Sequence, residues 1–571
     1  MTNTVLTGDT ETGARAVTRV RPGLWGSRKG RKTREALLAY LFLLPAFIII
    51  FTFGLFPLAF SAFESTLRGL NKVLGTYTGL GNYVRAIDSL AYILGFWLSL
   101  LFLYLAIRSI VLIRRESALN EDRPWILAIP AIVLGFGIAL VARLVFVVIP
   151  ELLAIPGKMR GQERTSELFR QYFGEAIRSD LIVNAVLAAV LVLLLGAVLT
   201  FLVYRFTSQS HRSTSYYSGF VQATLLVLGA IVLSRLVWLE IETAYAAAIE
   251  EGQDLELWTQ IVTISTGFVM LLLSWLLWRS ASYRQSMVAT GLRLAGAAML
   301  VVGAWILIAE LPSAIGAGSE DWWTGLKATI FYSLGTVPFQ LAIALLLAVL
   351  LFQAIKGRTA FRIVYFLPYI APFIGTAAAF RILFSGRASA PVNTLLTTFG
   401  LEPLQWLNEP DGIFKILAGS SLDLPDSLTG PSLALVAIMF YGTWTFFGFN
   451  TVVFLAGLGS IPGELYEAAS IDGASKWAQF RSVTLPLLSP TIYFLVLWST
   501  IGTFKAFNHI WVLRSSAALG TSDTASVVIF LSFRENARYG YASAMAIMLL
   551  LIILVLTVVN NRFASRRVFY G

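Results

Sequence analysis

Cysteine is absent from the 571 residues and histidine occurs twice, at His211 and His509. No disulfide, thiolate metal site or cysteine nucleophile can be built. Two isolated histidines support neither an H-E-x-x-H zinc site nor a Ser/His/Asp arrangement. The phosphate-cradling pattern G-x-x-x-x-G-K-[ST] also fails, because Gly157-Lys158 is followed by Met159 and no glycine stands five positions earlier. ATP cannot be held by that route, so any ATP-derived work must come from a partner. Asp411, Asp423 and Asp426, in the stretch 386–430, lack metal-ligand spacing. The remaining chemistry is recognition, and its most distinctive site is a polar island between two apolar runs: Glu467-Ala468-Ala469-Ser470-Ile471-Asp472-Gly473, then Val483-Thr484-Leu485-Pro486. The alanines leave one helical face flat enough for close packing. Gly473 can adopt positive φ and turn the chain between two short helices. Pro486 fits the first turn of the next membrane helix, where its missing N–H costs little.

The elements that carry this island are membrane spans. Hydrophobic residues make up 57% of the chain and charged residues 13%, with a mean hydropathy of +0.75. Those values imply an all-α polytopic membrane protein. About twelve spanning segments are expected, near 36–63, 91–113, 125–150, 181–206, 217–240, 259–278, 288–311, 327–355, 361–385, 431–457, 486–509 and 541–560. Threaded from a cytoplasmic N-terminus, the inner loops carry Arg114 and Arg115, Arg205 and Arg212, Arg279 and Arg284. They continue with Lys356, Arg358 and Arg362, then Lys476 and Arg481, then Arg562, Arg566 and Arg567. The outer loops carry Glu250, Glu251, Asp254 and Glu256, then Glu320 and Asp321, then the aspartates of 386–430. This Lys/Arg bias places both termini and the Glu467 island in the cytoplasm. The net charge of +11 therefore reflects topology rather than a nucleic-acid footprint. Residues 1–35 are expected to be a disordered tail whose basic cluster (Arg28, Lys29, Arg31, Lys32, Arg34) touches anionic lipid. The apolar run that follows is too long for a secretory signal and is expected to remain as a first helix.

The island resembles the EAA loop of the membrane subunits of binding-protein-dependent ABC importers, in the spacing E-A-A-x-x-x-G followed after nine residues by x-x-L-P. Gly79-Leu80-Gly81-Asn82-Tyr83 is similar to the segment after the first helix of carbohydrate-importer permeases. Gly357-Arg358, Phe361-Arg362, Phe366-Leu367-Pro368-Tyr369 and Gly540-Tyr541-Ala542-Ser543-Ala544-Met545-Ala546 are similar to later parts of the same family. The resemblance, which spans two blocks of the chain, implies a six-helix type I permease core. It places Glu467, Ala468, Ala469, Asp472, Gly473, Leu485 and Pro486 against an ATPase subunit. Where that family usually carries Gly-Gly-Pro, the outer loop here reads Arg514-Ser515-Ser516-Ala517-Ala518-Leu519-Gly520. The helices around 440–450 and 498–508 would line a sugar pathway. Sugar C–H faces stack on aromatic rings and hydroxyls need short polar partners; Tyr441, Trp444, Asn450, Thr503, Lys505 and Asn508 supply both. A cation such as Lys505 inside a span is functional or snorkels to an interface.

The two blocks are separated by about six further hydrophobic segments. The expected organisation is a tail (1–35), a first core helix with an outer segment (36–89), an inserted membrane domain (90–320) and the remaining core (321–571), with the EAA-type loop at 460–486. Weak similarity suggests that the insertion is a threefold repeat of helical hairpins, with Arg143 and Arg235 at equivalent depths. The insertion is expected to be an appendage on the lipid-facing flank. The resemblance implies a permease subunit that catalyses nothing and holds no cofactor, ATP and Mg belonging to the ATPase. Its partners would be a second permease, two ATPase copies, an extracytoplasmic sugar-binding protein and the lipid of a bacterial or archaeal plasma membrane. A secondary transporter, a membrane-embedded sugar transferase, and a permease for a polyol or glycerol phosphate are the alternatives. A secondary transporter would show six-plus-six symmetry, which the two halves lack.

Overall fold

The computed structural model describes residues 28–68, 75–163, 165–206, 212–252, 257–281, 287–309, 311–353, 356–419 and 428–564. His211, Asp254, Glu256, Arg284, Asp423, Asp426, Arg566 and Arg567 lie outside them, as does the tail up to residue 27. Among the described residues, ten helices are long and apolar enough to cross a membrane, and two bent helix pairs bring the number to twelve. The chain divides into two compact units at Phe60. In the first, Arg28–Ile50 is one helix, followed by a π-turn over Phe51–Leu55. The helix begins inside the segment expected to be a disordered tail. Once the apolar run has nucleated a helix, extension through Lys, Arg and Glu costs little.

The second unit, Ser61–Gly571, opens with a small antiparallel hairpin that pairs Leu67 with Tyr77 and Arg68 with Thr76. Asn82 closes it, its Nδ2 donating to the carbonyls of Ser65 and Leu67 at 2.9 and 2.8 Å. The hairpin sits against the start of the last helix, Tyr539–Ala564. A Cβ on Gly540 would run into the Leu67 carbonyl, and Arg85 lies 5.1 Å from the Tyr541 ring.

Six spans follow between residues 90 and 308, and they do not pack as three successive hairpins. Helix 90–120 lies against 213–250, with Ser99 and Ser234 hydroxyls 2.7 Å apart. Helix 124–158 lies against its successor 180–206, and of the three expected hairpins 257–281 with 287–308 is the one that forms. The reason is where small residues fall. A Cβ on Gly95 would stand 2.7 Å from Val237, and one on Gly137 2.6 Å from Leu193. In lipid, where apolar burial gives no preference among helices, such close approaches choose the partner. Helices 90–120, 213–250 and 257–281 join the later helices in one buried cluster. It contains Leu90, Ile93, Val237, Ile241, Ile261 and Ile264 together with Trp322, Phe504, Val528, Tyr541 and Met545. Arg143 and Arg235 are both exposed.

The later part comprises Glu320–Phe352, the pair Arg358–Ile370 and Phe373–Leu383, Leu433–Gly459, the pair Lys476–Leu487 and Ser489–Phe504, and Tyr539–Arg562. The expected single spans at 361–385 and 486–509 are thus both broken, by 92° and 63°. At the first break Ala371 is extended (φ −62°, ψ 144°) immediately before Pro372. A residue before proline is pushed out of the helical region by the pyrrolidine ring. At the second, Pro490 starts the 489–504 helix, while Pro486 lies in the short turn Leu485–Leu487 that precedes it. The expectation that Pro486 opens the membrane helix is therefore off by one turn.

Candidate functional site

The polar island folds as two short helices around a tight corner. Helix Gly463–Ile471 ends in a Schellman motif: the Gly473 N–H donates to the Ser470 carbonyl at 3.1 Å, and the Ala474 N–H to the Ala469 carbonyl at 2.9 Å. This geometry places a left-handed residue at the corner, and Gly473 has φ +77° with open space around its Cβ position. Ser475 then caps Lys476–Gln479 by accepting from the Ala478 N–H. Gln479 Nε2 braces the corner by donating to Ser470 Oγ (2.9 Å) and the Ala474 carbonyl (3.1 Å). Tyr466 and Thr484 hydroxyls, 3.0 Å apart, tie the two ends together.

Glu467, Ala468, Asp472, Gly473 and Pro486 are exposed, and Ala469 and Leu485 are half-buried. Two residues that sequence reasoning misses stand out beside them. Ile471 is 86% exposed and Trp477 69%, its indole stacked on Phe480 with centroids 5.5 Å apart. Large apolar side chains exposed beside charged ones mark an interaction surface. Their only signal in the sequence is hydrophobicity inside a polar segment.

The six pathway candidates separate into three groups. Tyr441, Asn450 and Thr503 are buried within this chain. The Tyr441 hydroxyl bonds Thr376 Oγ1 at 2.8 Å and donates to the Phe373 carbonyl at 3.1 Å, so it pins the sharp bend at 371–372. Thr503 Oγ1 donates to Ser333 Oγ at 2.8 Å, joining helix 489–504 to 320–352. Trp444 is half-buried, its ring 5.0 Å from that of Phe380. Lys505 and Asn508 are exposed, just beyond the end of the 489–504 helix.

His509, which the sequence gives no role as a metal ligand, belongs to the cluster around Tyr441. Its Nε2 lies 2.7 Å from the Tyr332 hydroxyl and its ring 5.4 Å from that of Tyr441. A second feature that the sequence does not reveal is a row of rings crossing three helices. Tyr369 stacks on Phe449 at 4.9 Å, Phe449 meets Trp498 at 6.3 Å, and Trp498 stacks on Phe494 at 6.1 Å. The row is open at its Trp498 and Phe494 end, where both rings are exposed. Gly448 permits the approach of the 358–370 helix, since a Cβ there would run into the Tyr365 carbonyl. In the loop that departs from Gly-Gly-Pro, Arg514 forms a two-pronged ion pair with Asp523 (3.0 and 2.8 Å).

Residues 311–568 match the family described as binding-protein-dependent transport system inner membrane component. A probable ABC transporter permease, YesP of Bacillus subtilis, is 31% identical over 257 residues, which cover 44% of this chain and 75% of that protein. This chain belongs to that permease family. The permease is also similar to the trehalose/maltose transport system permease MalF of Thermococcus litoralis, at 29% identity over 42% of this chain and 74% of that one. The lactose transport system permease LacF of Rhizobium radiobacter is 28% identical, over 43% of this chain and 76% of that one. Among solved structures, a bacterial ABC transporter involved in alginate import aligns with 26% identity and a TM-score of 0.37, covering 43% of this chain and 80% of that one. Membership makes this chain a membrane component of an ABC importer and displaces the secondary-transporter and sugar-transferase alternatives.

Proposed function

We propose that this permease forms one half of a carbohydrate pathway and is driven by an ATPase that docks on the 460–486 loop. The observation that carries the coupling part is the loop itself: a rigid corner, cross-braced by Gln479 and Tyr466, that presents Ile471 and Trp477 outward. A brace is needed because a loop that transmits force must not deform under it. Several relatives are named for trehalose/maltose, lactose and arabinooligosaccharide transport, which favours sugars over polyols or glycerol phosphate. The row Tyr369–Phe449–Trp498–Phe494 supplies flat apolar faces of the kind that pack against sugar C–H groups. Lys505 and Asn508 supply polar contacts past the end of the helix that carries Trp498. The buried Tyr441 and Thr503 would act indirectly, by holding the helices that carry those rings, whereas the buried Asn450 amide nitrogen has no such bond among the described residues. A second permease would close the open side, an extracytoplasmic binding protein would deliver the sugar, and both termini would be cytoplasmic. The insertion, 90–320, would stay outside the pathway.

Ile471→Asp tests the docking. It places a carboxylate on a surface that is already exposed, so the permease should fold and reach the membrane while the ATPase no longer co-purifies and uptake fails. Undiminished ATPase association in Ile471→Asp would remove the loop from the interface. Uptake of labelled oligosaccharides, polyols and glycerol phosphate with the cognate binding protein separates the substrate classes.

A further inference from the structure

Helix Ser166–Ile177 joins the 124–158 and 180–206 helices, and nothing above gives it a role. Thr165 caps it by accepting from the Leu168 N–H at 3.2 Å, a stable start for a 12-residue helix. Its side chains fall on three distinct edges. Leu168, Tyr172 and Ala176 pack with Leu152, Ile155 and Met159 of the preceding helix. About 100° to one side, at 3.6 residues per turn, stand Phe169, Phe173 and Ile177. They are 48%, 39% and 44% exposed, and the two rings stack 6.0 Å apart. About 100° to the other side stand Glu167, Gln171 and Glu175, all exposed, with Gln171 Nε2 donating to Glu175 at 3.0 Å.

A helix anchored along one edge, apolar along the second and polar along the third sits where two solvents meet. The apolar edge continues into a surface that lipid must cover. Asp180–Phe206 starts three residues after Ile177, and Leu181, Val183, Leu187 and Leu191 are exposed along it. With the bent pair 358–383 counted as one span, seven crossings separate this helix from the Glu467 loop, which puts the two on opposite faces of the membrane. We propose that Ser166–Ile177 is an interfacial helix whose Phe169, Phe173 and Ile177 edge is seated in the headgroup and acyl boundary of the leaflet opposite the Glu467 loop. It fixes the depth of the 124–158 and 180–206 helices and keeps their connection flat on the bilayer rather than raised as a docking platform.

The absence of cysteine makes the test direct. Single cysteines at Phe169, Gln171, Phe173 and Glu175 are introduced into the full chain and labelled with a nitroxide. The protein is then reconstituted into vesicles of phosphatidylethanolamine and phosphatidylglycerol. Collision with oxygen, which partitions into lipid, is compared with collision with a water-soluble nickel chelate. Labels at 169 and 173 should favour oxygen several-fold over those at 171 and 175, which should favour nickel. Nickel access at 169 and 173 equal to that at 171 and 175 overturns the proposal. Shielding of 169 and 173 from both quenchers also overturns it and assigns the edge to a protein contact instead. Ile177→Cys lies on the same edge and replaces either phenylalanine variant that fails to incorporate.

Discussion

Gly473 is the residue at which backbone geometry and proposed coupling meet most sharply. Its φ of +77° with nothing near its Cβ position means that a substitution there acts through the backbone alone. Gly473→Val should strain the corner by about 1–2 kcal/mol, enough to shift the two short helices without unfolding the spans. The ATPase should then detach, or hydrolyse ATP without driving sugar uptake. Normal ATPase association together with normal uptake in Gly473→Val would remove the corner from the coupling route. The corner is legible in the sequence because a glycine directly after an alanine-bearing helical run is the residue that a left-handed helix end demands. The pathway residues are less so. Helix 433–459 is apolar almost throughout, so period 3.6 gives no contrast by which to tell its inward from its outward face. Side-chain chemistry alone points to Tyr441 and Asn450, and both prove buried, whereas Phe449 and Trp498 look like ordinary hydrophobes. His509 needs the third dimension, because its partner Tyr332 is 177 positions away.

At the scale of elements, all twelve expected spans have counterparts, because runs of twenty apolar residues are the strongest pattern a sequence carries. The two breaks are hidden by that same strength. Hydropathy does not change at Ala371-Pro372 or at Leu488, and only the backbone restriction of proline marks the first of these. Helix pairing is illegible for a related reason. The order in which 90–120 meets 213–250 and 124–158 meets 180–206 depends on single small residues such as Gly95 and Gly137, not on periodicity. Topology can be tested on these elements. Asp411 and Gly357 lie on loops separated by one bent span, so single cysteines at the two positions should react with an impermeant maleimide from opposite sides, Gly357→Cys from the cytoplasm. Labelling of Asp411→Cys from the cytoplasmic side alone would invert the orientation.

For the molecule as a whole, the six spans between 90 and 308 pose the main question. Their two ends come together: the Ser319 N–H donates to the Ala86 carbonyl at 3.1 Å. A short flexible linker from Asp88 to Ser319 would therefore bridge the cut with little movement of the flanking chain. The deletion would uncover Trp322, Tyr541 and Met545, but to lipid, where exposed apolar surface is not penalised as it is in water. The shortened protein should still assemble with its ATPase, with a lower melting temperature and reduced uptake. Complete loss of assembly would show that the shared cluster is indispensable and that the insertion is no appendage.

The closing contact of the fold has a consequence in time. Asn82 and the hairpin it ties emerge early in synthesis, yet Gly540 and Tyr541, against which they rest, come almost last. At roughly 5–20 residues per second, the hairpin waits tens of seconds for its partner while all the intervening spans enter the bilayer. During that interval a quality-control protease meets a half-finished protein. A ribosome that stops before residue 540 releases one that can never be closed.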